Sequence, residues 1–214
     1  AAFGITYLFE RRPFGLWMVN AGYHAVALMA VGAVLAIVPR LAVARDARDV
    51  RLTSFVEPDG SRVLRHEITV DRPPAAVYRA FTTAEGLRHF AAPVAAIDAR
   101  PGGLWEATYN PAGHLGDPGN ILNRVIALVP DRMISIRIAR TPPGFPHPDV
   151  AAALWTVIDL LDAGDGRTKV VTSMYGWRAG PDWDQIYRFF ERGNAIVSRR
   201  LRTYMAGGTV DWSQ

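Results

Sequence analysis

Between Ala95 and Trp177 the chain alternates strand-like runs with two kinds of connection, and this pattern limits the fold more than any other feature. The runs fall at 95–100, 104–109, 121–128, 132–139, 152–162 and 167–177. "RPGG" (100–103), "VPDR" (129–132) and "AGDG" (163–166) are tight turns by their Pro, Gly and Asp content, whereas "NPAGHLGDPGN" (110–120) and "RTPPGFPHPDV" (140–150) are long. In an antiparallel meander every second connection lies at the same end of the sheet. The two long loops therefore share one end, and structured loops gathered on a rigid sheet are the usual place for binding or gating. That end is the expected mouth of any site.

Elements before and after the meander complete an α+β pattern. "RVLRHEITV" alternates as a strand ending at Val70, and "DRPPAAVYRAFTTAEGLRHF" follows it as a helix, its two prolines tolerated in the first turn. At the C-terminal end Trp183, Tyr187, Phe190, Asn194, Val197 and Leu201 recur at steps of four and three. They give one broad face to a helix of about 24 residues that stops at Gly207-Gly208. Gly193 inside that helix costs roughly 1 kcal/mol relative to Ala, so it serves close packing or leaves room for a ligand.

From about Glu67 to Gly207 the chain resembles the START-like (SRPBCC) superfamily of helix-grip domains, in the branch similar to the C-terminal domain of the activator of the heat-shock protein 90 ATPase. The matching pieces are "ITVDRPPAAVYRAFTTAEGLRHFAAP", "IDARPGGLWEATY", "GNILNRVIALVPDRMISIRI", "LWTVIDLLDAGDGRTKVVTSMYGW" and "FFERGN" in the last helix. Phe90 stands where many relatives carry tryptophan, a difference that bears on the pocket rather than the fold. The resemblance implies a cavity between sheet and long helix that takes a small apolar molecule. Relatives range from ligand carriers to cyclases to chaperone cofactors, and the resemblance supplies no catalytic residues.

On "LWEATY", Trp105, Ala107 and Tyr109 share one face and Glu106 takes the other. The aromatic face is expected inward, where Trp155 and Val157 of a later strand and Trp183, Tyr187, Phe190 and Asn194 of the long helix converge with it. With Phe90 these form the expected pocket lining, set against the plainer reading that aromatics at such periods are core. His114, Asp117, Phe145 and His147 lie in the long loops at the mouth. Two histidines and a carboxylate could bind a metal or exchange protons, but their spacing matches no metal motif. His66 and Glu67 are adjacent and so face opposite sides of a strand, and His89 reads as a surface residue. No catalytic triad, phosphate-binding loop or dinucleotide fingerprint is present, and no metal or cofactor is expected.

The net charge of +4 suggests an anionic partner. The basic residues are scattered arginines, Lys169 being the only lysine, and they form no stripe of the nucleic-acid type. Without cysteine there is no disulfide, thiolate metal site or cysteine nucleophile.

The N-terminal region is of another kind. Leu16 to Val38 is a run of 23 residues without formal charge, long enough as a helix to cover roughly 34 Å and cross a bilayer. Arginines at 40, 45, 48 and 51 outnumber Arg11 and Arg12 and favour a cytoplasmic C-terminal side. Ala42-Val43-Ala44 has the form of a signal-cleavage site, so export after cleavage near Ala44 is the alternative. Asn20 and His24 share a helix face, as do the small pairs Ala21/Ala25 and Gly32/Ala36, which suits other membrane helices as neighbours. "FERRPFGLWMVNAGYHAVALMAVGAVLA" also resembles the last helix of a small family of polytopic membrane proteins, and a start at Ala1 rather than Met fits a fragment.

The expected organisation is a membrane segment (1–40, spanning about 16–38), a juxtamembrane linker (41–61), a START-like domain (62–208) and a tail (209–214). The expected function is a membrane-tethered, non-catalytic domain binding a small hydrophobic ligand. A protein-interaction module similar to the chaperone-ATPase activators, or a cyclase or hydrolase working through Tyr109 and His147, are the alternatives.

Overall fold

The computed structural model describes residues 50–212. The run at 16–38, its expected partner helices and the cleavage site near Ala44 lie outside the described residues. Among the described residues no helix is long and apolar enough to cross a membrane. This corrects the expectation of a membrane-localised chain, which rested on the run at 16–38 alone.

Among the described residues nine strands form one antiparallel sheet. In chain order the elements are β1 (Arg51–Leu52), β2 (Phe55–Val56), β3 (Arg62–Val70), α1 (Pro74–Thr82), α2 (Ala84–Phe90), β4 (Val94–Ile97), β5 (Leu104–Thr108), β6 (Ile121–Val129), β7 (Met133–Arg140), α3 (Pro148–Ala153), β8 (Trp155–Asp162), β9 (Thr168–Tyr175) and α4 (Pro181–Met205). The strand order is β1-β3-β9-β8-β7-β6-β5-β4, with β2 also on β3. The meander from β4 to β9 and the return of β3 beside β9 match the expected antiparallel α+β architecture. The two long loops do lie at one end, where Arg140 Nη2 donates to the Asp117 carbonyl at 3.1 Å.

Local chemistry explains three departures from the sequence reading. Residues 51–56, read as part of a linker without periodicity, pair with β3 instead. Strands of two residues show no alternation, so only backbone pairing reveals them. The single helix expected after β3 is two helices. Thr83 adopts an extended conformation that ends α1, and its hydroxyl then accepts from Gly86 N at 3.1 Å to start α2. Gly86 permits the tight corner, since a Cβ there would lie 2.4 Å from the Ala80 carbonyl oxygen. The third departure is α3, inserted just before β8 with Pro148 in its first turn.

On β3, Leu64, His66, Ile68 and Val70 are buried toward α4 while Arg65 and Glu67 alternate outward. Glu67 meets Lys169 of β9 at 2.8 Å on that outer side. The long helix ends where Gly207 takes φ +82 and the amides of Gly207 and Gly208 donate back to Tyr204 and Thr203. Its 25 residues cover about 37 Å, more than one core needs. Two separate apolar clusters flank it. One holds Val77, Phe81, Phe90, Trp105, Ile134 and Leu201. The other holds Leu64, Leu154, Met174, Trp177 and Ile186, with Trp183, Tyr187 and Phe190 against it.

Candidate functional site

Between the two clusters the sheet and α4 do not close on each other. An inner chamber of about 140 Å³ is walled by the inward residues of β5 to β9 and by one face of α4. Both clusters contribute to it, Trp105 and Leu201 from one side and Met174 and Phe190 from the other. An outer groove of about 610 Å³ shares Ala107, Tyr109, Ile121, Phe190, Asn194 and Val197 with the chamber, so the two adjoin. The groove opens between the two long loops, represented by Gly119, Pro142 and Phe145, and the middle of α4. Its size matches the pockets that take drug-sized molecules, and the chamber alone is comparable to a cavity that admits a benzene ring.

None of the described residues lining the chamber carries a formal charge. Its polar groups are sparse. Asn123, Thr156, Thr172 and Ser198 are set into an otherwise apolar wall with Asn194 and the indole of Trp105. Trp105 Nε1 and Asn194 Nδ2 are both buried and lack a hydrogen-bond partner. An unmade buried donor costs about 1–3 kcal/mol.

Tyr109 occupies the junction of chamber and groove. It is 59 % exposed and lines both spaces. Burial pushes its phenol above the ordinary value, with the nearby Arg200 guanidinium opposing.

Of the residues expected in the lining, Trp105, Tyr109, Phe190 and Asn194 are brought together, and Phe145 stands at the groove. The others are elsewhere. Phe90 is fully buried, edge-on to Phe81 at 4.9 Å and stacked near Tyr204 at 6.4 Å, and it packs the core behind the chamber. Trp155 was expected inward and is on the outer face, stacked on Tyr175 at 5.7 Å with Arg137 at 5.9 Å. The phase of β8 explains this. Ile158 and Leu160 are its buried residues, so Thr156 faces inward with them and Trp155 and Val157 face out. Trp183 and Tyr187 belong to the second cluster, where Tyr187 meets Trp177 at 4.9 Å and Arg62 at 5.0 Å.

The mouth histidines take separate partners. His114 is exposed and its backbone N–H donates to Asp117 Oδ2 at 2.7 Å, a local turn contact. His147 has φ +47, its Nε2 lies 3.0 Å from Gln185 Oε1 and its Nδ1 3.5 Å from Asp182 Oδ2, which pins the second loop to the start of α4. Neither histidine lines the chamber or groove, and among the described residues no group of three metal-ligating side chains comes together. Sequence reasoning missed Arg192, Ile196 and Arg200 of α4 and Trp212 of the tail, all of which line the groove. Ile196 and Phe189 signal it as apolar residues exposed on the long helix.

An antiparallel sheet gripping one long C-terminal helix around a cavity defines a helix-grip domain of the START-like (SRPBCC) type. The chain belongs, within that class, to the family of Activator of Hsp90 ATPase homolog 1-like proteins, whose model matches residues 71–206, well over half of the 214. The solved structures it is similar to include the Aha1 dimer from Colwellia psychrerythraea, at 17 % identity and a TM-score of 0.52, covering 67 % of this chain and 95 % of that one. CalU16 from Micromonospora echinospora is similar at 16 % identity and TM-score 0.52, covering 76 % and 86 %. SSP2350 from Staphylococcus saprophyticus is similar at 15 % identity and TM-score 0.53, covering 69 % and 95 %. At these identities the likeness concerns the fold alone. No curated protein matches the chain.

Proposed function

We propose that the domain binds a small apolar molecule in the space between the sheet and α4, without covalent chemistry of its own. One observation carries this reading: a chamber of about 140 Å³ whose described lining is uncharged adjoins an accessible groove of about 610 Å³ and shares six lining residues with it. Native mass spectrometry of the purified full chain, followed by solvent extraction, tests it. A stoichiometric apolar adduct is expected, or uptake of a fluorescent fatty acid by protein purified without one. An apo mass together with no uptake would overturn the reading.

Family membership favours a second reading, a protein-interaction module similar to the Hsp90 ATPase activators. Such a module would use its surface rather than its cavity. The outer sheet face offers Arg65, Glu67, Arg137, Asp159 and Lys169 around Trp155 and Tyr175, a charged surface suited to polar contact.

A further inference from the structure

Beyond α4 the chain doubles back. Gly207 takes φ +82 and turns the backbone round, and the Gly208 amide donates to the Thr203 carbonyl at 2.9 Å. The residues after this turn return along the helix, where Thr209, Val210 and Asp211 line one cleft together with Ile196, Arg199 and Thr203. Ile196 and Thr203 are about two helical turns apart, roughly 11 Å. Four extended residues reach about 13 Å, so the short segment 209–212 suffices to cover that length. The family match stops at residue 206, and this return lies outside it.

At the end of the return Trp212 becomes part of the groove wall, with Ile196 and Val197 of α4 and with Tyr109. The Arg200 guanidinium lies 4.6 Å from the centre of the Trp212 ring, a cation–π contact that fixes where the indole sits. Arg200 is also near enough to Tyr109 to act on its phenol. Since Tyr109 lines both spaces, Trp212 stands close to the place where groove and chamber adjoin. Residues 208–212 form neither helix nor strand, and Trp212 belongs to neither apolar cluster. A segment outside regular structure and outside the core opens far more readily than packed elements do.

We infer that residues 207–212 form a strap along the groove: Trp212 completes the wall against the bound apolar molecule, and the strap lifts at Gly207 to let that molecule pass. This rests on the ligand-binding reading above and adds a contacting residue and a route to it. An indole suits the place, because it presents a large apolar area with few rotamers to freeze and keeps a polar edge for solvent. Arg200 serves as the clasp for the ring, and no contact between its charge and the ligand is required.

The test follows dansyl-labelled undecanoic acid entering and leaving the full chain by stopped flow, release being started with excess decanoate or 1-decanol. Trp212→Ala should speed uptake and release alike, each by about threefold or more, since a closed strap limits the binding-competent fraction. Trp212→Phe, which keeps an aromatic ring for Arg200, should stay within about twofold of the unmodified chain. Urea midpoints of both variants should match the unmodified chain, because Trp212 is in neither apolar cluster. Unchanged rates in Trp212→Ala, or faster release with unchanged uptake, overturn the strap and leave the ligand-binding reading standing. So does a fall in its urea midpoint, which would make Trp212 part of the core. No uptake by the unmodified chain removes both readings together.

Discussion

Glu106 Oε1 accepts from Asn120 Nδ2 and from Gly116 N, both at 2.6 Å, so one carboxylate oxygen on β5 fastens the far end of the first long loop to the strand that begins it. Asn120 is 1 % exposed and also donates to the His114 carbonyl at 2.7 Å. The loop supplies Gly119 to the groove and is continuous with Tyr109. Glu106, outward on its strand, thus sets the shape of the mouth without entering it.

Asn120→Ala removes both side-chain bonds at once, one of them to a charged acceptor in a partly buried place. The expected loss is about 2 kcal/mol in urea unfolding, and Glu106→Gln, which keeps an acceptor, should lose about half as much. A wild-type midpoint for Asn120→Ala would show that the loop is held by other contacts.

Gly193 faces open space: a Cβ built there meets nothing within 4 Å, although the residue lies mid-helix and lines the groove. Close packing therefore does not explain it. Gly193→Ala should raise stability by about 0.5–1 kcal/mol through helix propensity, seen as a higher Tm. Gly193→Phe should fill part of the groove and reduce uptake of a fluorescent fatty acid. Undiminished uptake by Gly193→Phe would place the ligand somewhere else.

His66 is 3 % exposed on the inner face of β3, with Nε2 against the Glu191 carbonyl at 3.0 Å and Nδ1 buried without a partner. Burial lowers its pKa from the ordinary 6.5, with the Glu191 carbonyl opposing. The unfolded chain then binds a proton at higher pH than the folded one. Stability from this group is present above about pH 6.5 and is lost as pH falls from there through the lower folded value. Urea midpoints from pH 8 down to 5 should decline in that window, and His66→Gln should flatten this part of the decline. An identical slope in the variant would assign it to other groups.

The sheet and long helix were legible because both obey simple periods, and the same periods delivered Trp105, Tyr109, Phe190 and Asn194 to one space. Periodicity without phase misplaced Trp155. The strand starts only after α3, and "HPDVAAA" holds the proline that marks that helix, a signal overlooked amid the loop's other prolines. Trp183 and Tyr187 share the helix stripe with Phe190, yet a helix of about 37 Å outruns the chamber, so one stripe serves the second cluster as well. Arg192, Arg200 and Trp212 had no periodic signature. They reach the groove from the margin of the helix face and from the tail, which only tertiary structure brings together.

Asn194 offers the sharpest separation of stability from function. Its Nδ2 is buried without a partner, it lines both chamber and groove, and it sits inside α4, where asparagine is a poor helix former. A core chosen for stability alone would place an aliphatic residue there. Asn194→Leu removes the unmet donor and improves helix propensity, so the empty domain should gain about 1–2 kcal/mol, measured by urea unfolding of ligand-stripped protein. If Asn194 is kept for an acceptor on the ligand, the same variant should bind decanoate and 1-decanol more weakly even as it becomes more stable. A variant both less stable and unchanged in binding would mean that the amide is satisfied within the fold, and the chamber wall would then be an ordinary core.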